Sequence, residues 1–344
     1  MLSLDQNIYN RSLPRTAPKF KLWTWAGLML TYRCSAACRF CYYCCSPDIQ
    51  SPLMPVETAL SAYRSLKNLA GPSARIHLTG GEPFLEWPRL AEIVTAIKAE
   101  NLGPIDQIET NASWATDPAE IADRLQLLDR AGMTTLKISA DPFHQEYIPI
   151  DRVRLLAHVA ADILGPSRVQ IRWQQYLDNP LLTAQMSPSD RDNSHIQSIA
   201  THKARFTGRS AFELAPPVAQ KTIEQIAAGN CASQFLSAKG VHIDPAGNVF
   251  SGLCSGIIIG NINQTPLDEL WKQFDCRTHP ILDILFNKGP AGLVELAADA
   301  GYKTERLYAG SCHLCNCVRT FLYTKGNHKS ILGPAQCYAA TSAD

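Results

Sequence analysis

The cysteines of this chain fall into two groups that lie far apart in the sequence. Five of the twelve cysteines among 344 residues lie near the start: Cys34, Cys38, Cys41, Cys44 and Cys45. The other seven lie in the last third: Cys231, Cys254, Cys276, Cys312, Cys315, Cys317 and Cys337. No cysteine occurs between the two groups, so we expect two separate sites.

The N-terminal residues favour reduced thiols over disulfide bonds. The first twenty residues are polar, include Asp5 and contain no apolar segment or cleavage site typical of a signal peptide. The apolar run at residues 22–30 is too short to span a bilayer. We therefore expect a cytoplasmic protein without a membrane partner, whose thiols bind metal.

The spacing of Cys34, Cys38 and Cys41 predicts an iron–sulfur site with an open position. Thiolates separated by three and then two residues can hold one face of an iron–sulfur cube from a single loop. Three ligands leave the fourth iron open, which is what binding and activating a further ligand requires. The alternatives are a zinc knuckle or a four-thiolate ferredoxin site, with Cys44 or Cys45 as the fourth ligand.

Two motifs in this chain resemble those of the radical S-adenosylmethionine (radical SAM) superfamily. The first is the set Cys34, Cys38 and Cys41, with the aromatic Phe40 just before the last cysteine. The second is Thr79-Gly80-Gly81-Glu82-Pro83, at the end of the second predicted strand. They occur in this order on successive strand ends, and this combination carries the resemblance.

The resemblance implies a cofactor set and a reaction. A [4Fe–4S] cluster would chelate the amino and carboxylate groups of S-adenosylmethionine through its open iron. One electron, from a donor such as flavodoxin or ferredoxin, would then cleave the sulfonium. The resulting 5′-deoxyadenosyl radical would abstract hydrogen from a substrate, so we expect an oxidoreductase-type enzyme whose cofactor supplies the difficult chemistry.

Polar residues at the strand ends are the candidates for binding S-adenosylmethionine. Gly80 and Gly81 let the backbone approach a ligand closely, and Glu82 could hold an ammonium group or fix the loop. Without the cysteines, the same residues would fit an ordinary turn between a strand and a helix. The resemblance further implies cofactor contacts at these positions: Phe40, Asn111, Ser139 and Arg172.

The substrate-facing residues are less specific. His144 and Glu146 lie just beyond the fourth predicted strand and could contact substrate or move a proton. Exposed loop residues without such a role are at least as common. The catalytic residue itself is therefore unknown from the sequence.

The second cysteine group resembles the C-terminal twitch or SPASM extension of radical SAM enzymes. Cys231 and Cys254 bracket a predicted hairpin at residues 240–251, and a C-x-x-C pair follows at Cys312 and Cys315. The resemblance implies one auxiliary [4Fe–4S] cluster on these four cysteines, with Cys317 and Cys337 as alternates. A structural zinc site on the same four thiolates is the alternative.

The middle of the chain predicts an α/β fold. Strand candidates at residues 27–32, 75–79, 105–110, 134–139 and 168–176 alternate with amphipathic helices, which indicates a parallel sheet. With a sixth strand near residues 210–214, the pattern favours a partial (βα)6 TIM-type barrel. We expect an N-terminal extension at 1–24, the barrel at 25–215 and the auxiliary cluster domain, a hairpin plus helices, at 216–344.

The charge composition limits the classes of binding partner that we expect. The chain carries 32 basic and 31 acidic residues, a net charge of +1, and this balance argues against nucleic acid. A peptide or protein substrate is implied by the C-terminal resemblance, and a small molecule remains open. The alternative from another class is an iron–sulfur electron carrier or a zinc-stabilised binding protein that does not use S-adenosylmethionine.

Overall fold

The protein is built on one mixed sheet that curves into an open barrel. The computed structural model describes residues 2–252 and 254–341. Within these ranges the sheet has eight strands in the order β5-β4-β3-β2-β1-β6-β7-β8. The strands are β1 (Trp25–Met29), β2 (Arg75–Thr79), β3 (Ile105–Thr110), β4 (Met133–Ser139), β5 (Val169–Arg172), β6 (Gly240–Ile243), β7 (Asn248–Ser251) and β8 (Ile258–Asn261).

The helices divide between the barrel and the C-terminal third. In the described ranges they are α1 (Ile8–Arg11), α2 (Val56–Ala70), α3 (Trp87–Ala99), α4 (Pro118–Arg130), α5 (Pro142–Gln145), α6 (Ile150–Leu164), α7 (Gln175–Asp178), α8 (Pro188–Thr201), α9 (Arg209–Glu213), α10 (Ile223–Ala227), α11 (Ala232–Ser237), α12 (Leu267–Gln273), α13 (Pro280–Asn287), α14 (Pro290–Ala298) and α15 (Ser311–Thr324). Helices α2, α3, α4 and α6 are the crossovers between successive parallel strands.

Local sequence signals explain where these helices begin and end. Asp117 caps α4 by accepting a hydrogen bond from the backbone of Ala119, and Pro118 occupies the first helical position. Gly165 ends α6 with a φ of 86°, a conformation that favours glycine. Each crossover helix buries one apolar stripe, and β1 is buried along almost its whole length.

Six parallel strands form the partial TIM-type barrel. β1 pairs in parallel with β2 on one side and with β6 on the other. β2, β3, β4 and β5 continue the parallel ladder, whereas β7 and β8 add antiparallel to β6. The barrel is therefore not closed, and the hairpin β6–β7 continues its sheet at residues beyond the expected boundary at 215.

Most predicted elements are confirmed, and two details are wrong. The strand expected near residues 210–214 is the helix α9, and the sixth parallel strand is β6 instead. The strand expected at 168–176 ends at Arg172, because Trp173 adopts a φ of 61° and turns the chain into α7. The 14-residue helix α8 then precedes α9.

No helix of the described ranges combines the length and the apolar character that crossing a bilayer requires.

The shared sheet generates a prediction about coupling between the two halves of the chain. Ile243 is fully buried on β6, and its replacement by alanine is expected to lower the free energy of unfolding by about 2–5 kcal/mol. Because β6 pairs with β1, the backbone amides of Trp25–Met29 should exchange faster in Ile243→Ala. Hydrogen–deuterium exchange measures this, with the exposed Ile8→Ala as the matched control. Unchanged protection of β1 would show that its pairing with β6 contributes little to the stability of β1.

Candidate functional site

A cavity of about 410 Å³ lies at the carboxyl ends of the parallel strands. This is where ligands bind in parallel α/β folds. The cavity is lined by all three cysteines of the first motif and by all seven residues expected at the cofactor: Cys34, Cys38, Cys41, Phe40, Gly80, Gly81, Glu82, Asn111, Ser139 and Arg172. His144 also lines it. The fold thus brings together residues that are up to 138 positions apart in the sequence, counted from Cys34 to Arg172.

Backbone hydrogen bonds join the glycine motif to the cysteine motif. The Gly81 N–H donates to the Thr31 carbonyl at 2.7 Å, and the Glu82 N–H donates to the Arg33 carbonyl at 2.9 Å. A Cβ on Gly81 would lie 1.8 Å from the Arg33 carbonyl oxygen, so only glycine permits this approach. Gly80 has a φ of 145°, and a Cβ there would lie 2.7 Å from the Thr31 carbonyl oxygen.

The carboxylate of Glu82 is buried and holds the end of β3. Its Oε1 accepts hydrogen bonds from the Thr110 hydroxyl at 2.8 Å and the Phe84 N–H at 3.1 Å, and its Oε2 accepts from the Asn111 N–H at 2.6 Å. Burial raises the pKa of Glu82 to about 7, although these donors act in the opposite direction. Glu82 therefore fixes the loop and the end of the neighbouring strand.

The cysteine loop is held by main-chain contacts and by one arginine. The Arg209 guanidinium donates to the carbonyls of Cys38 and Cys44 at 2.9 Å and of Cys45 at 3.0 Å. The Cys41 N–H donates to the Cys38 carbonyl at 3.0 Å. Arg209 was not predicted from the sequence, because it lies 164 positions after Cys45 and at the start of α9.

The thiols of the first motif have different surroundings. Burial raises the pKa of Cys34 and of Cys38, and the Asn111 amide donates to the Cys34 sulfur at 3.5 Å. A hydrogen bond from the Cys45 thiol lowers the pKa of Cys41 to about 6. Cys45 lines the cavity, whereas the Cys44 thiol donates to the Cys337 carbonyl at 3.7 Å.

The donor set of the first motif fits an iron–sulfur cube. Within the described residues, no three Cys, His, Asp or Glu side chains converge closely enough to hold one metal ion. The cysteine ligands of an iron–sulfur cube each bind a different iron, so their sulfurs lie farther apart than those around one zinc ion. Three thiols on one cavity wall therefore fit the cube.

His144 and Glu146 occupy different environments. Nδ1 of His144 lies 2.8 Å from both oxygens of the buried Asp141, and its ring also hydrogen-bonds the Cys38 thiol. Glu146 does not line the cavity; its carboxylate faces Arg191 at 3.3 Å and His195 at 3.9 Å.

The aromatic and cationic residues on the β5 side pack together. The Arg172 guanidinium lies 5.3 Å from the centre of the Phe40 ring, within cation–π range. Phe40 in turn stacks on Phe143, with ring centroids 5.1 Å apart. Ser139 pairs with Arg172 across β4 and β5, so both residues lie at the same level of the barrel.

The sequence reasoning missed the polar floor of the cavity. Glu109 accepts hydrogen bonds from Lys137 at 3.1 Å and from the Thr79 hydroxyl at 2.9 Å, and all three line the cavity with His77 and His242. Burial acts to raise the pKa of Glu109, but Lys137 and the other donors hold it at about 2. The signal that could have revealed this floor is the polar residues at alternate positions of β2, β3 and β4, whose side chains face the barrel interior.

Four cysteines of the second group converge beside α15. Burial raises the pKa of Cys231 and Cys254 to about 12, and the next contributions come from other thiols of the set, Cys315 foremost. Cys312 and Cys315 lie three residues apart in the first turn of α15, on one face of the helix. The Cys312 thiol interacts with Cys315 and with both remaining cysteines.

The two alternates and the remaining cysteine differ in their surroundings. Cys317 interacts with Glu305 and with Cys315 of the set, whereas Cys337 contacts the Tyr32 hydroxyl at 3.7 Å. Cys276 is fully buried beside Asp275 and Arg277. The described residues thus bring Cys231, Cys254, Cys312 and Cys315 within electrostatic range of one another, with Cys317 close to Cys315.

Comparison with known proteins shows which family the barrel resembles. Residues 28–170 match the model of the radical SAM superfamily. This match runs from the end of β1 to the beginning of β5 and includes both motifs that line the cavity. This part of the chain is therefore similar to radical SAM enzymes, a family that uses a [4Fe–4S] cluster and S-adenosylmethionine.

Several solved structures resemble this chain at low identity. BtrN in complex with AdoMet and 2-DOIA is 16% identical, with a TM-score of 0.47 over 78% of this chain and 89% of that chain. His-tagged anSMEcpe with bound AdoMet is 12% identical, with a TM-score of 0.44 over 92% of this chain and 99% of that chain. Streptococcus suis SuiB bound to S-adenosylmethionine is 11% identical, with a TM-score of 0.36 over 80% of this chain and 74% of that chain. No curated protein matches the chain.

The contact at Gly81 predicts how the candidate site responds to one added methyl group. Gly81→Ala places a carbon against the Arg33 carbonyl and is expected to lower the free energy of unfolding by about 1–3 kcal/mol. Hydrogen exchange should also rise at residues 31–46. Gly229→Ala is the matched control, since nothing lies within 4 Å of its added carbon. Equal exchange in both variants would contradict the assigned contact.

Proposed function

We propose that this chain is a radical SAM enzyme that abstracts hydrogen from its substrate at the cavity of the barrel, with Cys34, Cys38 and Cys41 as ligands of the [4Fe–4S] cluster. The observation that carries the proposal is the joint lining of one cavity by these cysteines and by Gly80, Gly81 and Glu82. When bound, the cluster and S-adenosylmethionine supply a 5′-deoxyadenosyl radical on receiving one electron from a donor such as flavodoxin or ferredoxin.

The residues around the cysteines have distinct roles in this proposal. Gly80 and Gly81 expose backbone at the cavity wall, where a Cβ would collide with the strand beside it. Glu82 acts as a positioning residue, because both of its oxygens are occupied by donors from β3 and from the following turn. Asn111, Ser139 and Arg172 offer an amide, a hydroxyl and a cation to the polar groups of S-adenosylmethionine.

Phe40 and His144 flank the cysteine motif from the side of β4 and β5. Phe40 closes the cavity against Phe143 and Arg172, which excludes water from that wall. His144 is oriented by Asp141 and donates toward Cys38. We assign His144 the role of a hydrogen-bond partner of the cysteine loop, and no catalytic role to Glu146, whose carboxylate faces Arg191.

The second cysteine set is proposed to hold an auxiliary [4Fe–4S] cluster. Cys231, Cys254, Cys312 and Cys315 supply four thiolates, which leaves no open position for substrate. Such a closed cluster passes electrons or stabilises the C-terminal third. Zinc on the same four thiolates is the competing occupant, and metal analysis separates the two.

The cavity restricts the part of the substrate that enters it. Its volume of about 410 Å³ is near the low end of small-molecule sites, so only a small part of the substrate is proposed to enter beside S-adenosylmethionine. The floor formed by Glu109, Lys137 and Thr79 favours a polar group at that end. A peptide or protein substrate, as the resemblance implies, stays a prediction.

Iron content and S-adenosylmethionine cleavage test the two cluster sites. Reconstituted wild-type enzyme is expected to hold about eight irons per chain, four for each cube. With dithionite and S-adenosylmethionine it should form 5′-deoxyadenosine. Cys34→Ala/Cys38→Ala/Cys41→Ala should retain about four irons and form none, because the open cluster is lost. Iron analysis and chromatography measure both.

The control for this experiment is a buried cysteine outside both sets. Cys276→Ala should keep the full iron content and form 5′-deoxyadenosine, since Cys276 contacts neither set. A full complement of zinc without iron in the wild type would instead support the zinc-stabilised binding protein. Iron without S-adenosylmethionine cleavage would support the electron carrier.

The role of Glu82 predicts a separation between cluster assembly and cofactor binding. Glu82→Ala removes the acceptor for three donors and should weaken S-adenosylmethionine binding at least tenfold, while iron content stays near that of the wild type. Glu82→Gln, which keeps one acceptor oxygen, should lose less affinity for S-adenosylmethionine than Glu82→Ala. Anaerobic equilibrium dialysis measures the affinity. Unchanged affinity in Glu82→Ala would refute the positioning role.

A further inference from the structure

Arg319 is a buried cation without a carboxylate partner. Its side chain lies in the middle of α15 and is only 2% exposed. Nη1 donates to the Ser255 carbonyl at 2.8 Å and to the Tyr338 hydroxyl at 3.2 Å. Within the described part of the chain, Nε is buried without any hydrogen-bond partner, and no carboxylate lies within ion-pair distance.

A guanidinium in this position requires an anion. Moving an isolated charge out of water costs several kcal/mol, so buried charges in proteins are paired. Both groups that Nη1 contacts are neutral, and they leave the positive charge uncompensated. The buried Nε–H also lacks an acceptor, which adds the cost of an unmade hydrogen bond.

The second cysteine set lies beside Arg319 and could supply this anion as thiolates. Arg319 follows Cys315 by one helical turn, and Ser255 directly follows Cys254. The guanidinium also hydrogen-bonds the Cys315 thiol and lies within electrostatic range of the Cys254 thiol. Arg319 thus joins two segments that carry proposed cluster ligands.

We propose that Arg319 is the buried counter-ion of the auxiliary cluster and raises its reduction potential. This inference rests on the proposed auxiliary cluster at Cys231, Cys254, Cys312 and Cys315. Four thiolates outweigh the positive charge of the cube, so the cluster is anionic, and one-electron reduction adds a further negative charge. A fixed cation in a low-dielectric site stabilises the reduced form more than the oxidised form. Arg319 therefore places a positive charge beside the cluster and, through its hydrogen bond to Ser255, holds the loop that carries Cys254.

The test is a potentiometric titration of the reconstituted holoenzyme, followed by electron paramagnetic resonance. Comparison with Cys34→Ala/Cys38→Ala/Cys41→Ala separates the two cluster signals. At the wild-type midpoint, Arg319→Met should lower the reduced-to-oxidised ratio of the auxiliary cluster at least tenfold, equivalent to about 59 mV for a one-electron couple. Arg319→Lys keeps the charge and should change the ratio less than threefold.

Arg205 provides the matched control for charge. It also interacts with Cys254 and Cys312, but its side chain is exposed and screened by solvent. Arg205→Met should therefore change the ratio less than threefold. Equal midpoints in wild type and Arg319→Met, or equal shifts in Arg319→Met and Arg205→Met, would overturn the counter-ion role while leaving the cluster in place.

Cluster assembly provides the second readout. If Arg319→Met loses the auxiliary cluster while Arg319→Lys retains it near the wild-type potential, the requirement for a buried cation is supported. If Arg319→Lys loses it as well and Tyr338→Phe retains it, the fork-shaped contact to Ser255 is essential rather than the charge, and the electrochemical role is refuted. About four irons in the wild type would instead remove the auxiliary cluster itself, which is a failure of the proposed function.

Discussion

The backbone contact between the glycine motif and the residues before the first cysteine is the constraint on which the cavity depends. Gly81 and Glu82 donate to the carbonyls of Thr31 and Arg33, and so extend the pairing of β1 and β2 beyond the strands. The backbones approach so closely that no side chain fits at Gly81. Cys34 follows Arg33 directly, so the same contact places the cysteine loop on the cavity wall.

Glu82 passes this constraint to the next strand. Its carboxylate binds the Thr110 hydroxyl and the Asn111 N–H, while the Asn111 amide reaches the Cys34 sulfur at 3.5 Å. Three strand ends and the first cysteine are thereby held by one chain of contacts. A network of this kind positions cofactor ligands before the cofactor arrives, which lowers the conformational cost of binding.

The sequence predicted those parts of the fold that local patterns determine. β2 and β3 begin and end where the alternation of residue types indicated, and the crossover helices follow their apolar stripes. The strand expected at 210–214 became α9, because five residues of mixed polarity fit either structure and β6 took the place beside β1. Strand order depends on distant pairing, which periodicity does not encode.

The site was predictable where a motif is contiguous and unpredictable where it is assembled across strands. The three cysteines and Gly80-Gly81-Glu82 are contiguous motifs, whereas Glu109 and Lys137 meet only because β3 and β4 pair in register. Arg209 was missed for the same reason, since it reaches the cysteine loop from α9. Contacts of this kind become visible only when the topology is known.

Two direct contacts join the surroundings of the two cysteine sets. The Ser255 hydroxyl donates to the Tyr42 carbonyl at 3.0 Å, and these residues directly follow Cys254 and Cys41. The Gly208 N–H donates to the Asn316 side chain at 3.1 Å, next to Arg209 on one side and Cys315 on the other. Because these contacts are buried or half-buried and close-packed, a displacement at either set strains the loop that carries the other. The C-terminal third therefore supports the cysteine loop of the barrel mechanically.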